Sequence, residues 1–251
     1  MKDVPADYYR RLHAIEEQHW WQAGMREIAA SMLGERLLRP QQALLDAGCG
    51  TGGFLRWLST RGSFERLCGV DVSAEAIALA REAVPRAELH VAPIDELPFE
   101  ARTFDLVVLN DVLQHVDETD VTKGIVALRR VLRPDGALLV RTNGGRTTRR
   151  ERSDWRLYDE PSLRDELELG GLRVLRTTYA NLVLSAWGAV RGKAPKAPSE
   201  STCGIPGPAG RISNAIGRAV LGQEARYLRR TGRRLPYGHT LFAVAVPQEA
   251  P

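Results

Sequence analysis

One stretch restricts the fold of this chain more than any other. A short apolar run over residues 43–47 ends in Gly48-Cys49-Gly50-Thr51-Gly52-Gly53, and a helix-like segment over 53–61 follows at once. A buried strand, a glycine-rich turn and a helix in immediate succession describe a loop whose backbone turns sharply. Lacking Cβ atoms, such a loop can also approach a bound molecule closely. The glycines satisfy two spacings together. Gly48, Gly50 and Gly53 fit GxGxxG, and Gly48, Gly50 and Gly52 fit GxGxG.

Around this loop the pattern alternates. Residues 66–71, 87–91, 104–109, 137–141 and 172–179 read as further strands, and the fourth, Phe104-Asp105-Leu106-Val107-Val108-Leu109, is almost wholly apolar, as a strand buried on both faces should be. Between them lie helices over 74–83, with Ser73 as N-cap and Glu75 in the first turn, over the amphipathic positions Val121, Ile125, Leu128 and Val131, and over 161–169. Pro134-Asp135-Gly136 reads as a turn ending the second of these. With Thr240-Leu241-Phe242-Ala243-Val244-Ala245-Val246 as a last strand, the expectation is an α/β fold with a doubly wound, mostly parallel seven-stranded sheet. Two segments stand outside the alternation. Residues 1–40 read as two helices, one carrying Tyr8, Leu12, Ile15 and His19 and one beginning with Met25, Ile28 and Met32, with Trp20-Trp21 and a break at Gly24 between them. Residues 181–237 combine a Gly/Pro-rich stretch (193–210) with a helical piece around 212–230.

Asp71 closes the second strand, where an acid accepts hydrogen bonds from ribose hydroxyls. Together with the glycine loop it indicates an adenosine-containing cofactor and leaves the choice of cofactor open. Further motifs make the choice. Asp46-Ala47-Gly48-Cys49-Gly50-Thr51-Gly52, Asp71, Ala92-Pro93-Ile94-Asp95 with Leu97-Pro98-Phe99, the run from Phe104 through Asn110-Asp111-Val112-Leu113-Gln114-His115-Val116, and Leu132-Arg133-Pro134-Asp135-Gly136 together resemble the class I S-adenosylmethionine-dependent methyltransferases, in the group acting on small molecules and natural products. The resemblance covers most of residues 41–180.

It implies a Rossmann-like methyltransferase fold with a helical N-terminal segment and a helical insertion before the last strand. It also implies S-adenosylmethionine as methyl donor and S-adenosylhomocysteine as product. Asp46, Gly48, Cys49, Gly50, Gly52, Asp71, Val72, Ile94, Asp95 and Asn110 then become donor-binding residues, with Asp95 meeting the adenine amino group. Glu17-Gln18-His19-Trp20-Trp21 with Arg26, and Leu235-Pro236-Tyr237-Gly238, resemble a narrower subgroup. Arg26 is either the partner of the donor's carboxylate, which a guanidinium can grip with two bonds, or an ordinary helix arginine. Trp21 either closes over the donor with Trp20 or packs a helix. His115, just past the fourth strand on the acceptor side, is either a general base or a packing residue. No clustered carboxylates predict a metal.

The chain is expected to be one domain over 1–251. In it 41–180 binds the donor, 1–40 and 181–237 form the acceptor pocket and its lid, and 238–247 is the last strand. Its 251 residues contain no long apolar run, so no membrane span is expected. Cys49, Cys68 and Cys203 form no CxxC pair, as expected of reduced thiols in a cytoplasmic protein. The net charge of +4 arises mainly from arginine, dense at 146–156 and 226–234. Such clusters can serve phosphate-bearing partners, but Glu151, Asp154 and Glu224 dilute them and a solvated face explains them better. The expected partner is a small-molecule acceptor, with neither nucleic acid nor membrane. Two alternatives stand beside it. One is a nucleic-acid (RNA) methyltransferase, which Asn110-Asp111-Val112-Leu113 does not match. The other is a non-catalytic adenosyl-binding subunit, which an intact donor loop makes less economical.

Overall fold

The strand-forming segments pair into one sheet because most are apolar on both faces and cannot end at solvent. The computed structural model describes residues 7–40, 42–145, 156–190 and 210–248. Strands β1 (Gln42–Ala47), β2 (Phe64–Asp71), β3 (Glu88–Val91), β4 (Phe104–Asn110), β5 (Leu132–Asn143), β6 (Leu172–Ala180) and β7 (Thr240–Pro247) stand in the order β3-β2-β1-β4-β5-β7-β6. The first five are parallel, and β7 runs antiparallel between β5 and β6. Every residue of β1 is buried. The order reverses beside β1, between β1 and β4, and at such a switch point the loops leaving adjacent strands part to open a crevice.

Helices cover both faces. On one side α2 (Trp20–Leu33), α3 (Gly53–Ser59), α4 (Ala74–Ala83) and α8 (Arg211–Thr231) bury Met25, Ile28, Leu55, Ile77 and Leu221 against Leu44, Leu106 and Phe242. On the other, α5 (Glu118–Val131) and α6 (Glu160–Leu169) bury Ile125, Leu128 and Leu163 against Leu45, Val107 and Ala243. Ser73 caps α4 as expected, its hydroxyl accepting from the Ala76 N–H.

Two local expectations are corrected. Pro134-Asp135-Gly136 does not interrupt the chain as a turn, because β5 starts at Leu132 and absorbs these residues as a register shift opposite Phe104 and Leu106. Gly24 is not a break. It lies inside α2, where a Cβ would fall 2.2 Å from Leu221 Cδ1, so the glycine is a helix-packing position. The actual break follows α1 (Tyr8–Ile15), and His19 caps α2 by accepting from the Trp21 N–H.

Helix α8 lies along α2. Its buried Gly217, Leu221, Glu224, Ala225 and Leu228 recur at helical spacing and form one stripe, while Ile212 and Ile216 are exposed. A Cβ on Gly217 would fall 2.4 Å from the Trp20 ring, so each helix brings a glycine to the crossing. Ser31 Oγ donates to the Ala225 carbonyl at 2.9 Å. The Gly/Pro-rich stretch, Cys203 and most of the arginine cluster at 146–156 lie outside the described residues. In the other cluster, Arg234 donates to both Glu160 carboxylate oxygens at 2.7 Å and Arg229 lies 3.7 Å from Glu27.

Candidate donor and acceptor site

The loop after β1 adopts the conformation its glycines permit. Gly48 has φ +78° and Gly50 φ +53°, in the left-handed region that other residues rarely enter. A Cβ on Gly48 would also fall 2.2 Å from Val112 Cγ2, so the position is closed both conformationally and sterically. Asp71, at the end of β2, holds the loop. One carboxylate oxygen accepts from the Gly50 N–H at 2.9 Å, and the other accepts from the Ser73 N–H at 2.9 Å. Burial raises the Asp71 pKa above the usual carboxylate range, and these backbone donors oppose the shift.

Beside the loop stands a group of buried polar atoms that the fold leaves unpaired. Asp46, in β1, is 1% exposed, and neither carboxylate oxygen has a hydrogen-bond partner among the described residues. Burial pushes its pKa up to about 8; Arg141 opposes the shift, while Asp71 and Glu16 add to it. On β4, Asn110 has both its side-chain oxygen and nitrogen buried and unpartnered. On α2, Arg26 is buried with an unpartnered Nε, and burial lowers its pKa despite the opposing charge of Glu16. In native proteins a buried polar group without a partner is uncommon and costs about 1–3 kcal/mol. Several at one switch point mark a ligand site.

The segment before α2 closes over this site. Glu16 is buried and accepts from the Thr51 hydroxyl at 2.9 Å, tying the segment to the loop. A Cβ on Gly53 would fall within 2.2 Å of the Glu16 carboxylate. Trp21 lies with its ring 5.0 Å from the guanidinium carbon of Arg141. Arg141, near the end of β5, donates from Nε and Nη2 to the two oxygens of Asp111 at 3.1 and 2.5 Å. Gln114 joins the same strand end, its side-chain oxygen accepting from the Asn143 N–H at 3.0 Å.

Glu16, Thr51, Asp111, Gln114 and Arg141 were not singled out by sequence reasoning. Glu16 sits one residue before the aromatic motif, and Arg141 reads as the polar end of an apolar strand. A charge ending an otherwise buried strand was the available signal for Arg141. The adenine-side candidates fall at the other end of the crevice. Ile94 is buried, Val72 is 37% exposed at the end of β2, and Asp95 is exposed. Cys49 is buried in the loop, and burial holds its thiol pKa well above the ordinary value. His115 lies at the surface on a 3-10 turn (Leu113–His115), with its pKa lowered by desolvation against the opposing charge of Asp111. Among the described residues no group of three His, Cys, Asp or Glu is placed to hold a metal, and no helix is long and apolar enough to cross a membrane.

Comparison with known proteins bears on the family and the fold. Residues 45–140 match the family model described as a methyltransferase domain. Over 135 residues the chain is 31% identical to malonyl-[acyl-carrier protein] O-methyltransferase of Enterobacter lignolyticus, covering 54% of this chain and 52% of that one. The chain spans about half the length of the curated relatives it matches. Among solved structures, 1,6-didemethyltoxoflavin-N1-methyltransferase of Burkholderia thailandensis, with bound 1,6-didemethyltoxoflavin and S-adenosylhomocysteine, aligns at TM-score 0.58 and 18% identity, over 99% of this chain and 92% of that one. The [4+2]-cyclase SpnF aligns at TM-score 0.61 and 19% identity, over 91% and 82%. At these identities the structural likeness concerns the fold.

Proposed function

We propose that this chain, whose residues 45–140 are a methyltransferase domain of the class I, S-adenosylmethionine-dependent kind, transfers a methyl group from S-adenosylmethionine to a small-molecule acceptor. The observation that carries the reading is the set of buried, unpartnered polar atoms on Asp46, Asn110 and Arg26 around the Gly48–Gly50 loop. Their chemistry fits the donor's amino-acid end. A guanidinium matches its carboxylate, and an unpaired carboxylate matches its cationic groups. Asp71 keeps lone pairs beyond those used by Gly50 and Ser73, so it can also accept from two ribose hydroxyls. Val72 and Ile94 would flank the adenine, with Asp95 at its amino group, while Gly48, Cys49, Gly50 and Gly52 line the turn below.

When bound, the sulfonium donor supplies a methyl group already activated for transfer. What remains for the protein is alignment of the acceptor and exclusion of water. Trp21 and Glu16 fit the second task, because they bring the N-terminal segment over the loop. His115 would serve as general base where the acceptor arrives protonated. Residues 1–40 and 181–237 would form the far wall of the acceptor pocket, with α2 and α8 as its frame.

The reading extends to an acceptor of specialised metabolism in a cytoplasmic protein; the malonyl-[acyl-carrier protein] and 1,6-didemethyltoxoflavin in the names of similar proteins support a small acceptor group and no more. The second reading is an adenosyl-binding chain that transfers no methyl group; that SpnF, named a cyclase, shares the fold shows only that the fold is not confined to proteins named methyltransferases. Calorimetry with S-adenosylhomocysteine tests the donor site. Incubation with methyl-labelled donor and a fractionated metabolite extract tests transfer. Saturable nucleoside binding with a labelled small product is the expected result. Binding with no labelled product from any fraction would favour the second reading, and no binding would overturn both.

A further inference from the structure

We propose that the acceptor is an organic acid whose carboxylate is held by Nη1 of Arg141. This deepens the methyltransferase reading and rests on it. Arg141 is paired in register with Asn110 of β4, which places it one strand beyond the switch point between β1 and β4. Arg141 adjoins the donor candidates Asp46 and Arg26 and stands one strand farther along the sheet than Asn110, so β5 presents it where donor and acceptor would meet.

Its side chain is 5% exposed and is fixed on three sides. Asp111 takes Nε and Nη2, and Trp21 covers one face of the guanidinium. Nη1 is buried and has no hydrogen-bond partner among the described residues. Asp46 is close enough to feel the charge of Arg141 but makes no hydrogen bond to it, so it does not satisfy Nη1.

The clamp is tied to the backbone as well. Asp111 sits at φ +56°, a left-handed conformation that aspartate enters more readily than most residues, and its N–H donates to the Arg141 carbonyl at 2.8 Å. Backbone and side chain thus aim one guanidinium edge at a fixed point. A planar cation with free N–H donors recognises a carboxylate more strongly than a neutral carbonyl, since charge-assisted hydrogen bonds are about twice as strong. Arg26, which also has a buried unpartnered nitrogen, is tied to the donor loop through Glu16, which meets Thr51 there. Of the two guanidinium groups at this site, Arg26 is thus assigned to the donor's carboxylate and Arg141 to the acceptor's.

The test uses the full chain loaded with S-adenosylhomocysteine. Malonate and benzoate are titrated by calorimetry against malonamide and benzamide, their neutral counterparts. At least one acid should bind about 10- to 100-fold more tightly than its amide, the factor expected of a hydrogen bond to a charged group. Equal binding of acids and amides overturns the proposal. Arg141→Gln should abolish the preference while S-adenosylhomocysteine affinity falls by a smaller factor than acid affinity does. Arg141→Lys, which keeps the charge but cannot engage Asp111 and a ligand together, should also lose most of it. If Arg141→Lys keeps the full preference, or if Arg141→Gln weakens nucleoside binding as much as acid binding, Nη1 serves another group. Repeating the titrations without nucleoside separates the two hypotheses. Acid preference in a chain that binds no S-adenosylhomocysteine would leave Arg141 an acid site and overturn the methyltransferase reading alone.

Discussion

The two sides of the crevice are built in different ways. The glycine loop of the proposed donor side is built from parts close in sequence: the turn at Gly48–Gly52 follows its strand directly, and Asp71 reaches Gly50 across 21 residues. On the proposed acceptor side the parts are distant. The Trp20 N–H that opens α2 donates to Asn214 Oδ1 at 2.6 Å, across 194 residues, and Asn214 returns a bond to the Gln18 carbonyl at 2.9 Å. Arg218 donates to the same carbonyl at 2.7 Å. A binding loop assembled from one strand–turn–helix unit can recur in many proteins with its spacing intact. A wall assembled from opposite ends of a chain can change without disturbing that loop, which is how one donor fold accommodates many acceptors.

The sharpest way to break the contrast is Gly48→Ala. The left-handed φ of +78° imposes strain of about 1–3 kcal/mol on any other residue, and the new Cβ meets Val112 at 2.2 Å. Donor affinity should fall more than about 100-fold, read by calorimetry with S-adenosylhomocysteine, together with a lower unfolding midpoint. Adding Val112→Ala should recover only part of the loss, because it relieves the contact and not the φ. Next in size is Asp71→Ala, expected to weaken nucleoside binding by roughly 2–4 kcal/mol through two lost charged-acceptor bonds. An unchanged dissociation constant would place the ribose elsewhere.

Asp46 provides a pH test of the same side. Its pKa of about 8 in the folded chain, against about 3.9 for an unperturbed aspartate, means that the native state holds a proton the unfolded state releases. Its contribution to stability is therefore greatest below about pH 4 and declines as pH rises toward about 8. A cationic donor favours the ionised form, so binding at pH 7 should release close to one proton, measured in buffers of different ionisation enthalpy. Asp46→Asn should abolish that release and flatten the decline.

On the proposed acceptor side, Asn214→Ala should cost about 1 kcal/mol of stability through the lost hydrogen bond to the Trp20 N–H, while donor affinity changes less than about tenfold. A larger loss of nucleoside binding would make the two sides one unit. The smallest effect is expected from His115→Gln. If His115 is the base, turnover loses an acid limb lying below the ordinary histidine pKa, since desolvation lowers it. The dissociation constant of S-adenosylhomocysteine should stay the same.

Helix α8 shows how legibility varies within a single element. Its helical character was readable around 212–230, but not what it packs against, since the partner stripe on α2 lies some two hundred residues earlier and only matching shapes, Gly24 to Leu221 and Gly217 to Trp20, join them. By itself the sequence determined the alternating α/β order, the glycine-rich turn after β1 and the place of Asp71 at the end of β2, because each depends on local periodicity or on glycines at fixed short spacing. Tertiary structure alone decided that Glu16 closes on Thr51, that polar atoms of Asp46 and Asn110 are buried without partners among the described residues, and that Arg141 is clamped with Nη1 unpaired among them. Burial and pairing are properties of a three-dimensional neighbourhood. A charged residue at the end of an apolar strand looks the same in sequence whether it meets water, an aspartate or a ligand.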